Sequence, residues 1–93
     1  MLVVRTINFT EQTYQDVLMV YKHDETHLKV NVRTYKGLAE HPWLTQEIVR
    51  EAISGCKVTA NDNPVEKTAT RLALALNVLA PKGWTVRVTK ETH

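Results

Sequence analysis

Two histidines four residues apart, with an acid after the first, occur at His23-Asp24-Glu25-Thr26-His27. On a helix this spacing puts both imidazoles on one face, where they can hold zinc while the acid acts as a base. The flanking residues argue against a helix here. Asp16 to Lys22 and His27 to Tyr35 read as two antiparallel strands around this polar segment, and a hairpin turn favours Asp and other polar residues for its own reasons. Asp is also shorter than the usual Glu base. No third ligand stands out, because His41 follows a loop and His93 ends the sequence.

Other chemistry-bearing residues are scattered. Cys56 could act as a nucleophile with His41 as its base, but nothing in the spacing brings them together, and a lone Cys after a helix end is usually a small hydrophobe. Gly37, Gly55 and Gly83 lie at element ends, so no glycine-rich phosphate loop can be built. Glu40, Glu47 and Glu51 could do acid–base work only in a cleft; on an exposed helix they form a solvated face. The sequence therefore predicts no metal, no cofactor and no catalytic step.

The segment around the histidine turn alternates. Leu28, Val30 and Val32 point one way, and His27, Lys29, Asn31, Arg33 and Tyr35 the other. Leu2 to Phe9 and Tyr14 to Lys22 read as the first two strands. A helix over residues 11–22, capped by Thr10, is the alternative for the second. A helix is predicted from about Pro42 to Gly55, with an apolar stripe of Leu44, Ile48, Val49, Ala52 and Ile53. Asn63-Pro64-Val65-Glu66 has the form of a capping box. The helix it starts buries Val65, Ala69, Leu72, Ala73, Leu76 and Leu79, with Leu74 and Val78 widening that face, and stops before Pro81. Trp84 to Thr89 is a last alternating strand. The order β-β-β-α-α-β predicts an α+β two-layer sandwich: a mainly antiparallel sheet with both helices on one face.

The whole chain, residues 1–93, is read as one domain. With 12 Lys+Arg against 10 Asp+Glu, it lacks the large basic surplus typical of dedicated nucleic-acid binders. One cysteine excludes a disulfide framework and fits a reducing compartment. Met1 to Thr6 has no signal-peptide pattern, and no apolar run approaches the roughly 18 residues of a membrane span. A cytoplasmic location away from membranes is expected.

The functional expectation rests on the outward sheet face. Arg5, Lys29, Arg33, Tyr35 and Arg87 fall there, with Met19 and Tyr21 as apolar anchors. Basic residues with an aromatic can track nucleic acid. The first two strands, however, do not alternate cleanly: Val3, Ile7 and Phe9 oppose Leu2 and Val4, and Val17, Met19 and Tyr21 oppose Leu18 and Val20. Apolar groups mixed with Arg and Tyr have the composition of a protein interface, either with another protein or between two copies of the chain. The aromatic consensus strand of RNA-recognition domains is missing, as is the basic helix start of double-stranded-RNA-binding domains. The expected function is a small non-enzymatic binding module that occupies a surface of a larger protein or nucleoprotein complex. By analogy of size, such modules include phage-encoded inhibitors and regulators of host or CRISPR machinery. The alternative is a nucleic-acid-binding regulator using the same face. Arg33→Glu is expected to remove partner binding without lowering the melting temperature.

Overall fold

The computed structural model of the chain describes residues 1–25, 27–33, 35–55 and 64–91. Four strands and three helices follow in the order β1 (Leu2–Asn8), β2 (Thr13–Lys22), β3 (Leu28–Val32), α1 (Tyr35–Ala39), α2 (Gln46–Gly55), α3 (Pro64–Leu79) and β4 (Trp84–Lys90). The strands form one antiparallel sheet in the order β3-β2-β1-β4. This is the expected α+β sandwich with one additional short helix. The helical alternative for residues 11–22 is excluded, since Thr13–Lys22 is the second strand.

The alternating residues of β1 sort the two faces. Leu2, Val4 and Thr6 share one parity and are buried. Leu2 and Val4 join Leu18, Val20 and Val86 from the other strands and Leu44, Val49, Ala69, Leu72 and Leu76 from the helical side in one core. Each leucine buried completely there contributes about 2 kcal/mol relative to exposure. Val17 breaks the alternation for a geometric reason. The β1–β2 register shifts between Val4 and Arg5, pairing Val4 with Leu18 but Arg5 with Asp16, so Val17 is the unpaired extra residue of a β-bulge. It turns into the core, and Asp16 takes the outward position beside Arg5.

Two boundaries and one helix face differ from the sequence reading. β3 ends at Val32, and Tyr35 opens α1 instead of extending the strand. α2 begins at Gln46, not near Pro42. Thr45 caps it: its hydroxyl accepts the Ile48 N–H at 3.3 Å and its carbonyl the Val49 N–H at 3.0 Å. Leu79, expected on the buried face of α3, is exposed, and Leu74 and Val78 are exposed too, Val78 at 84%, so that these last two do not widen that face. Each lies two residues beyond a buried leucine, Leu72 or Leu76, and two steps of about 100° carry a side chain to the opposite side of a helix. The expected cap residue Asn63 lies outside the described residues.

The β1–β2 turn stores a small strain. Asn8 Oδ1 accepts the backbone N–H of Thr10 (3.0 Å) and Glu11 (3.1 Å), and Gln12 is then left-handed, with φ of +57°. A side chain at such a φ costs about 1–2 kcal/mol, part of which glycine gives back through unfolded-state entropy. Gln12→Gly is therefore expected to stabilise the fold by about 0.5–1 kcal/mol in urea unfolding.

Candidate functional site

The sheet face away from the helices carries most of the residues singled out in the sequence. Val3, Arg5 and Ile7 of β1 pair across to Met19, Asp16 and Tyr14 of β2 on one side and to Thr89, Arg87 and Thr85 of β4 on the other. Met19 pairs in turn with Asn31 of β3, and Tyr21 with Lys29. Arg5, Met19, Tyr21, Lys29 and Arg87 thus share one continuous surface. Asn31 Nδ2 donates to the Tyr21 hydroxyl at 2.7 Å, which holds the phenol against the sheet. Tyr35 departs from this group: as the first residue of α1 it stands exposed beyond the end of β3.

Carboxylates invisible to the strand pattern neutralise two of the cations. Arg5 Nε donates to Asp16 Oδ1 at 2.7 Å, and its guanidinium carbon lies 3.9 Å from the centre of the Tyr14 ring. The bulge at Val17 is what makes this pair possible. It also places an acid beside Arg5, which otherwise faces Arg87 directly across the β1–β4 pair. Arg33, just past β3, forms a two-pronged ion pair with Glu91, just past β4. β3 and β4 are the two outer strands, so this pair reaches across β2 and β1. Val3, on the same face between them, is only 1% exposed. Hydrogen bonds to Asp16 and Glu91 raise the pKa of Arg5 and Arg33, respectively, above their already high values. One expectation changes as a result. Arg33→Glu would set two carboxylates together, so it lowers the melting temperature and does not probe binding cleanly.

The histidine turn is a closed hairpin loop. The His23 and Asp24 N–H groups donate to the His27 carbonyl at 2.9 and 3.3 Å, and Asp24 Oδ1 accepts the His27 N–H at 2.8 Å. The Asp24 carboxylate also meets His27 Nδ1 at 2.9 Å. Among the described residues no group of three or more His, Cys, Asp or Glu side chains is placed to hold a metal ion.

His41 has a different role from the one its pairing with Cys56 would give; Cys56 itself lies outside the described residues. The His41 ring is buried. Its Nδ1 accepts the Leu44 N–H at 2.9 Å and the Trp43 N–H at 3.3 Å, which puts the ring proton on Nε2, 3.1 Å from Thr6 Oγ1. Thr6 passes its own hydroxyl proton to the Gln15 carbonyl at 3.3 Å. Trp43 and Trp84 flank the imidazole at centroid distances of 5.1 and 5.2 Å. Burial lowers the His41 pKa from its ordinary value. Both ring nitrogens are committed to the fold, so His41 positions the loop that leads into α2.

A groove of roughly 410 Å³ runs beside β3, lined among others by Val30, Val32, Tyr35, Val49, Arg50 and Ile53. The sequence reading missed it because its two walls, β3 and α2, are separate in sequence. No helix among the described residues is long and apolar enough to cross a membrane. Compared with known proteins, the chain matches no family, no curated protein and no solved structure.

Proposed function

We propose that this chain is a non-enzymatic binding module that occupies a surface of a larger protein or nucleoprotein complex through the outer face of its sheet, acting as a steric inhibitor or regulator. The observation that carries this reading is the composition of that face. Half-buried Met19 and Tyr21 adjoin exposed Lys29 and Arg87, while Arg5 and Arg33 are already held by Asp16 and Glu91. Apolar anchors ringed by cations that form no ion pair among the described residues suit a protein interface. A phosphate track needs its cations free to displace counterions, which weakens the nucleic-acid alternative.

Lys29→Glu with Arg87→Glu probes the face without touching either ion pair. The tagged wild-type chain is expected to capture its host partner. The double variant should capture about tenfold less or worse, with an unchanged melting temperature. Equal capture by both proteins would remove the sheet face from consideration. A gel shift with single- and double-stranded nucleic acid at low salt separates the alternative, which requires binding that weakens steeply as salt rises.

A further inference from the structure

The two edges of the sheet are finished differently. In β4, Phe9 N–H donates to the Gly83 carbonyl (2.8 Å) and Glu91 N–H to the Met1 carbonyl (3.2 Å). With the paired register, this alternation means that the odd-numbered residues of β4 bond to β1 and the even-numbered ones face outward. Val86 is outward, and a side chain closes it. The Asn77 carboxamide of α3 donates Nδ2–H to the Val86 carbonyl at 2.7 Å and accepts the Val86 N–H on Oδ1 at 2.6 Å. The amide imitates the peptide group of an absent neighbouring strand.

Among the described residues the other edge has no such cover. Arg33 N–H donates to the Val17 carbonyl and His23 N–H to the His27 carbonyl, each at 2.9 Å. By the same alternation, Leu28, Val30 and Val32 turn their N–H and C=O groups outward. Among the described residues no hydrogen bond reaches those outward groups. The side chains of Val30 and Val32 are half-buried and open onto the groove whose far wall is Val49, Arg50 and Ile53 of α2.

We infer that β3 is a strand-addition site, and that its occupant is an extended segment of a partner protein with apolar side chains at alternate positions and acidic ones between them. This rests on the binding-module reading above and names its mode. Main-chain bonds to Leu28, Val30 and Val32 fix the segment as a fifth strand, and its alternate side chains enter the groove. Charge selects acid. Lys29 stands at the middle of the edge on the face away from the groove, where the residues between the apolar ones must lie, and it forms no ion pair among the described residues. Glu47 and Glu51 of α2 are not part of the groove lining. The same charges argue against a second copy. Two β3 strands pairing antiparallel about Val30 would put their Lys29 side chains diagonal to each other on one face, within interaction range.

The test titrates the ¹⁵N-labelled chain with two blocked peptides, (Glu-Val)₃ and (Lys-Val)₃, and follows amide shifts and hydrogen exchange. The acidic peptide is expected to protect the Val30 and Val32 amides and to bind about fivefold tighter than the basic one, since the cross-strand charge term at Lys29 changes sign between the two. Val30→Pro removes one outward N–H and no bond to β2, a position where an edge strand tolerates proline. It is expected to abolish peptide binding, and Val30→Thr, which keeps the N–H and the side-chain shape, to retain it. The proposal is overturned if the two peptides bind equally, if the Val30 and Val32 amides stay unprotected, or if Val30→Pro binds as wild type does. Protection that grows with protein concentration in the absence of peptide overturns it in favour of self-association. Failure at the edge with host capture still sensitive to Arg87→Glu alone, on the opposite outer strand, leaves the sheet-face reading standing.

Discussion

Replacing His41 with alanine is expected to lower folding stability by about 3–4 kcal/mol, a large part of what a domain of this size possesses. The change removes a buried ring packed against Trp43 and Trp84 and leaves a cavity between them. It also strips the Leu44 and Trp43 N–H groups and the Thr6 hydroxyl of their partner. An orphaned buried polar group costs about 1–3 kcal/mol by itself. His41→Asn is the informative companion, because its amide oxygen can still cap Leu44 while the group no longer titrates.

The same ring sets a pH dependence whose sign follows from its environment. Burial lowers the folded-state pKa of His41, and a proton added at Nδ1 would meet two N–H donors instead of two lone-pair partners. The unfolded chain therefore takes up this proton at higher pH than the folded chain does. The stabilisation is fully present above the ordinary imidazole pKa of about 6.5 and is lost as pH falls below it, at up to about 1.4 kcal/mol per pH unit, until the folded ring itself titrates. Urea unfolding at a series of pH values from about 7.5 to 5 should show wild type losing stability faster than His41→Asn. Parallel curves would mean that His41 is not the coupled group.

The contrast between His41 and the strands shows what was legible in the sequence. The alternation of Leu28, Val30 and Val32, and the helical repeat of Ala69, Leu72, Ala73 and Leu76, are local signals, and both faces are where they were expected. Thr6 gave a signal that went unused. It shares the parity of Leu2 and Val4, and a polar residue on a core-facing parity implies a buried polar partner. That partner, His41, is 35 residues away, so only the signal and not its answer was in the sequence. The Val17 bulge depends on register between strands, which no single segment encodes. Arg33 and Glu91 are 58 residues apart. Strand alternation therefore shows these basic residues as outward but not that two of them, Arg5 and Arg33, are paired. Tyr35 was carried along by an alternation that the backbone abandons after Val32.

Asn77 is the least conspicuous residue with a large expected effect. In sequence it is one polar position in an apolar helix. In the fold it closes the β4 edge at Val86 and accepts the Thr85 hydroxyl as well, at 3.2 Å. Asn77→Ala should lower stability by about 2–3 kcal/mol, on the order of 10–20 °C in melting temperature for a chain of this size. Asn77→Asp isolates the donor. It keeps the acceptor for the Val86 N–H and the Thr85 hydroxyl, but it turns a carboxylate oxygen toward the Val86 carbonyl, so it should destabilise despite its near-identical shape. The two variants should part in their solution behaviour. Alanine opens the edge next to the exposed apolar residues Leu74 and Val78 of the same helix, which invites edge-to-edge pairing and is expected to raise light scattering on heating. Aspartate places a charge at the edge, the usual protection against such pairing. If both variants melt with wild type, the carboxamide is only a bystander at Val86. If both melt early and neither aggregates, it stabilises the strand without guarding it. An early-melting, aggregating Asn77→Ala beside a soluble Asn77→Asp would show that this edge must be kept closed at Val86.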